Sequence, residues 1–147
     1  MKKVIFLLTF VFWTVLTQGQ SSEVYSTKKG AVNGYDVMAY FTESKPLIGT
    51  TQFSTIWKDA TWYFVSKENL TAFITDPEKY APQFGGYCAY GTSQGHKVPT
   101  DPEAWTIVDG KLYLNYNKDV KMKWNKNQKE LIDQANAIWP KIKDALE

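Results

Sequence analysis

Arginine is absent from the 147-residue chain, cysteine and histidine occur once each, and only one apolar run is long enough to weigh as a membrane segment. Each shortage excludes something. Arginine reads guanine edges and grips phosphates in bidentate fashion, so no nucleic-acid partner is expected. A single cysteine, Cys88, cannot close an internal disulfide. Cys-x-x-Cys, His-x-x-x-His and Cys-x-x-Cys-His are all missing, which removes zinc sites of recognised spacing and covalent haem attachment. A Ser/His/Asp hydrolase would have to use His96 as its base, and no nucleophile elbow is expected.

The one apolar run lies at the start. Lys2 and Lys3 precede Val4 to Leu16, and small or polar residues follow to Gly19-Gln20-Ser21-Ser22. A basic start, a short apolar stretch and a small residue before the cut describe a secretory signal peptide over residues 1–19. The run is short for a membrane span, which needs about twenty residues; an uncleaved anchor is the alternative. Cleavage after Gly19 leaves 128 of the 147 residues, the size of one domain. It also removes two lysines, so fifteen lysines balance fifteen acidic residues and the formal +2 charge falls to zero. The expected location is periplasmic or secreted, with no membrane association after cleavage.

Residues 20–30 are polar and read as a linker or loosely docked arm, leaving residues 31–147 as the domain. Tyr35 to Phe41 is rich in aromatic and apolar residues and predicts a buried strand or extended segment. Phe53, Thr55 and Trp57 alternate with Ser54 and Ile56, and Thr61 to Val65 is β-branched and aromatic; together they predict a hairpin. Ser66 is a helix cap, and Leu70, Phe73 and Ile74 form the apolar face of the helix after it. Asp76-Pro77 stops that helix and can open another. Asp109-Gly110 between Trp105–Val108 and Lys111–Asn115 has the residues of a type I′ turn. The C-terminal part is helical, with Leu131, Ala135, Ile138 and Ile142 at helical spacing and Pro140 expected to kink or divide it. Hairpins interleaved with helices predict an α+β fold: a small antiparallel sheet packed with helices, including a C-terminal amphipathic one.

Chemistry concentrates in Tyr80 to Gly91, which holds Cys88, the adjacent Gly85 and Gly86, and four aromatic residues. Paired glycines permit positive φ or a close backbone approach. Three roles suit Cys88: a buried small hydrophobe, a metal ligand, or a reactive thiol. His96, eight residues on in a polar loop from Thr92 to Thr100, is either solvated or a partner of Cys88 in a soft-metal site completed by Met38. Thiolate, imidazole and thioether together favour copper.

Ala60-Thr61-Trp62-Tyr63-Phe64-Val65-Ser66-Lys67-Glu68-Asn69, Asp76-Pro77-Glu78-Lys79-Tyr80, Gly85-Gly86-Tyr87-Cys88-Ala89, Asp101-Pro102-Glu103-Ala104-Trp105 and Val108 to Tyr116 resemble the YHS-domain family. Small exported bacterial members look most alike, and the likeness covers nearly all of the mature chain. In YHS modules that accompany heavy-metal pumps, a Phe-Cys-Ser-x-x-Cys pattern is taken as ligating metal. Here it reads Phe64-Val65-Ser66-Lys67-Glu68-Asn69, with both cysteines replaced, so only Cys88 remains as a ligand the resemblance can imply. The resemblance and the residues lead to an exported, non-enzymatic binding domain, with copper at Cys88, His96 and Met38. The alternative is a structural or protein-interaction module with no ligand and Cys88 in the core. A nucleophilic Cys88 is the third reading.

Overall fold

The computed structural model describes residues 22–145; the expected signal peptide lies outside them. Among these residues the fold is α+β, with the expected hairpins and C-terminal helix. The strands do not merge into one sheet but form three separate antiparallel pairs. No described helix is long and apolar enough to cross a membrane.

The segment expected as a linker is instead part of the packed structure. Strands β1 (Ser26–Thr27) and β2 (Gly30–Ala31) pair, and Val24 ahead of them is buried in the core. One apolar residue, Val24, and one aromatic, Tyr25, suffice because hydrogen bonds to the backbone hold the arm down. Tyr25 N–H donates to Gly85 O at 2.9 Å, and Tyr87 Oη donates to Ser22 O at 3.1 Å.

Tyr35 to Phe41 is also not a strand. Tyr35 makes a single bridge with Ile48, and the chain then turns into a one-turn helix, α1 (Ala39–Thr42). Asp36 decides this, because its side chain accepts the first free N–H groups of that turn.

The expected hairpin is present as β3 (Thr50–Trp57) and β4 (Ala60–Phe64). Phe53 and Trp57 pack against the core while Ile56 stays exposed, as period two requires. The following helix, α2 (Lys67–Thr75), is capped by Ser66, whose Oγ accepts from Asn69 N–H at 3.1 Å. Its buried face is centred on Asn69 and Phe73, not on Ile74, which is 55% exposed. Asn69 lies one turn before Phe73, so the stripe runs one residue earlier than hydrophobicity alone predicts. Asp76 then ends α2 and caps α3 (Pro77–Tyr80), with Pro77 in the first turn.

Cys88 caps α4 (Ala89–Ser93), so Thr92 and Ser93, expected in a loop, are helical and buried. The hairpin of β5 (Trp105–Val108) and β6 (Lys111–Leu114) turns through Asp109 and Gly110 with φ of 51° and 73°. Both angles are positive, as a type I′ turn demands. The helical tail divides at Asn127, between α5 (Lys118–Lys126) and α6 (Gln128–Ile142). Pro140 does not divide it; α6 runs through that residue to Ile142.

Two apolar clusters result. The larger gathers Trp62, Phe64, Phe73, Tyr40, Leu112 and Leu114 from the hairpins and short helices. The smaller sets Phe84, Ala89, Tyr113 and Trp124 against Ala135 of α6. The glycine–cysteine segment contributes Phe84 and Ala89 to the smaller cluster.

Candidate functional site

Two left-handed turns, far apart in sequence, meet inside the molecule. In the first, Val32, Asn33 and Gly34 have φ of 43°, 61° and 78°; in the second, Phe84, Gly85 and Gly86 have 57°, 62° and 85°. A β-branched residue such as Val32 rarely tolerates positive φ, so surrounding contacts must hold it there. A Cβ on Gly86 would collide with the Val32 side chain, and one on Gly85 with the carbonyl of Glu23. Both expected reasons for the paired glycines therefore apply at once, positive φ and close approach. Side chains staple the turns together. Asn33 Nδ2 donates to Thr100 O at 3.3 Å, and Thr100 Oγ1 donates to Gly86 O at 2.7 Å.

Cys88 follows directly and is only 1% exposed. Its backbone is tied on both sides: its N–H donates to Val98 O at 2.9 Å, and the residue bridges Leu114 at the end of β6. The sulfur joins the same elements. Gly91 N–H of α4 and Tyr116 N–H beyond β6 donate to Sγ at 3.4 and 3.2 Å. The thiol in turn donates to Asn115 Oδ1 at 3.5 Å, and that oxygen also accepts from Tyr90 N–H at 3.1 Å. Burial pushes the thiol above its ordinary 9.0, while the N–H groups of Gly91, Tyr116 and Tyr90 oppose the shift without overcoming it. The sulfur is thus a protonated, hydrogen-bonded pin between α4 and the end of β6.

Met38 and His96 are the other two proposed ligands. Met38 is buried in the larger apolar cluster, of which Cys88 is not a member. His96 is held by its backbone, whose N–H donates to Gly91 O at 2.9 Å, but its side chain makes no hydrogen bond among the described residues. No group of three or more His, Cys, Asp or Glu that could hold a metal gathers among the described residues.

The run Gly91-Thr92-Ser93-Gln94-Gly95 does carry Gly-x-Ser-x-Gly spacing, contrary to the expectation that no elbow occurs. Its geometry is not that of an elbow. An elbow presents its serine on a strained turn between a strand and the helix that follows, whereas Ser93 is the last residue of α4 and buried. Its Oγ donates to Tyr90 O at 2.6 Å and accepts from Gln94 Nε2 at 3.1 Å, with no bond to His96.

Asp36 is the polar residue that sequence reasoning missed. It is fully buried, and four donors converge on its carboxyl group. Oδ1 accepts from Met38 N–H at 2.8 Å and Ala39 N–H at 3.3 Å; Oδ2 accepts from Val65 N–H and Asn69 Nδ2, both at 2.8 Å. An aspartate inside an aromatic run is the signal available in the sequence, since a carboxylate is buried only where donors compensate it. Val65 and Asn69 stand where the resemblance places two metal-ligating cysteines, and here both serve Asp36 instead. No family model matches the chain, and no curated protein or solved structure matches it significantly.

Proposed function

We propose that the chain is an exported, non-enzymatic binding module of YHS type in which Cys88 is a structural pin and not a ligand. One observation carries the assignment of Cys88 as a pin: the buried sulfur already has two N–H donors and an amide oxygen acceptor, supplied by α4 and by the residues just after β6. The nucleophilic role needs a thiolate at neutral pH, and burial favours the thiol. The YHS assignment itself rests on the residue patterns of Gly85–Ala89 and Val108–Tyr116 and on the hairpin–helix order around them.

Copper at Cys88 is the second reading, and one feature favours it. Backbone N–H groups converging on a sulfur also stabilise a thiolate, the form a metal takes. A copper(I) titration of the purified protein against a chromogenic chelator separates the two. The structural reading expects no uptake that Cys88→Ser abolishes. Stoichiometric uptake lost in Cys88→Ser, and weakened in His96→Ala, would replace it with the copper reading.

A further inference from the structure

The β1–β2 hairpin and the Val32–Gly34 turn border a surface cavity of about 490 Å3, whose lining includes neither Cys88 nor any of its hydrogen-bond partners. Its size lies in the range of about 300–1,000 Å3 typical of small-molecule sites. Its chemistry is one-sided. Lys28 and Lys29 line it, and no aspartate or glutamate does. Neither lysine enters an ion pair among the described residues, in contrast to Lys58, which bonds both Glu23 and Glu78. Tyr35 and Tyr63 supply aromatic walls, and neither hydroxyl has a hydrogen-bond partner among the described residues. Ile48, 67% exposed, adds an apolar edge.

The backbone around the cavity is fixed by close approach. Gly49 N–H donates to Gly34 O at 2.9 Å, and a Cβ on Gly34 would stand 2.6 Å from Lys29 O. The turn that carries the lysines is therefore clamped against the cavity wall by a glycine in left-handed conformation. Asp101 and Glu103 flank the lining residue Pro102 but do not themselves line the space. Two lysine ammonium groups and two tyrosine hydroxyls thus border a space with two aromatic rings and an apolar edge.

We infer that this cavity binds a small organic anion with a flat, unsaturated body, of the aromatic carboxylate class. The lysines neutralise the carboxylate, the tyrosine rings cover the flat face, and Ile48 covers its edge. This deepens the binding-module reading and rests on it, but it uses none of the atoms around Cys88. Copper titration therefore tests Cys88 and leaves the cavity untouched.

The test is titration of 2-naphthoate into isotope-labelled protein, followed by amide NMR shifts. Saturable shifts centred on Gly34, Tyr35 and Gly49 are expected, with a Kd of about 1 mM or tighter. The uncharged 2-naphthamide should bind about tenfold more weakly, as should naphthoate to the Lys28→Gln/Lys29→Gln variant. Inorganic phosphate alone should not displace naphthoate. Absent or unsaturable shifts, equal binding of the amide, or displacement by phosphate at the same concentration would each overturn the inference. The amide and phosphate comparisons use unmodified protein, so they decide the matter even if the double variant folds poorly.

Discussion

Replacing Asp36 with asparagine should destabilise the protein by about 2–3 kcal/mol, although the two side chains have nearly the same shape. The introduced amide can keep its one oxygen toward Met38 and Ala39, which leaves its NH2 facing Val65 N–H and Asn69 Nδ2, both 2.8 Å from the oxygen it replaces. Donor would then face donor. Asn69 can flip and offer its own oxygen, but Val65 N–H cannot, and an orphaned buried donor costs about 1–3 kcal/mol. Loss of charge assistance in the remaining bonds adds roughly 1 kcal/mol, and easier burial of a neutral amide offsets part of the sum. Asp36→Ala removes all four acceptor contacts and should cost more, a large share of the roughly 5–15 kcal/mol that holds such a domain together. Urea denaturation followed by tryptophan fluorescence reads both, since Trp62 packs on Phe73 of α2. An Asp36→Asn stability within about 0.5 kcal/mol of wild type would show that water or rearrangement satisfies these donors, and that Asp36 is not the clamp described here.

Two turns with paired positive φ angles should respond in opposite directions. Gly110→Val forces a β-branched residue to a φ of 73° in open space, a purely backbone cost of about 1–3 kcal/mol, whereas Asp59→Gly relieves a φ of 59° and should gain about 0.5–1 kcal/mol. Thermal melts check both, and a Gly110→Val melt equal to wild type would contradict the turn assignment. Stability should also fall in alkali. The folded-state pKa of Cys88 is raised by burial above its ordinary 9.0, so the unfolded chain loses that proton first and stability declines as pH rises past 9.0. The slope for one such group is at most about 1.4 kcal/mol per pH unit. Burial raises Tyr40 and Tyr113 in the same sense from 10.0. Denaturation between about pH 8 and 11 reads this, and Cys88→Ser should remove the earliest part of the decline.

Local chemistry was the legible part of the chain. Asp109-Gly110, the Ser66 cap and the Asp76-Pro77 junction carry their geometry in two or three adjacent residues, and each stands as expected. The Lys58-Asp59 turn shows the limit. Its place between the two strands was legible, but both residues take positive φ without glycine, at 50° and 59°, which their identities do not announce. Residues 22–30 read as an arm because their anchors are a backbone carbonyl and a distant tyrosine, which composition does not record. The partners of Asp36 were illegible for the same reason: three of its four donors are backbone N–H groups, and two of the four come from Val65 and Asn69 across the fold. The partners of a side chain at position 88 were equally hidden, because Gly91 N–H, Tyr116 N–H and Asn115 Oδ1 meet there only once the chain has folded.

That convergence makes the Cys88→Ala and Cys88→Ser pair the most direct test of Cys88 as a hydrogen-bonded pin. Alanine leaves Gly91 N–H unsatisfied in the interior and weakens the tie to Tyr116, at a cost of about 2 kcal/mol or more. Serine keeps an acceptor for both donors and a hydrogen for Asn115, so it should be milder by about 1 kcal/mol. Chemical denaturation of wild type, Cys88→Ser and Cys88→Ala should rank them in that order. If alanine proves equal to serine or better, Cys88 occupies an apolar pocket and its hydrogen bonds contribute nothing, which contradicts the account.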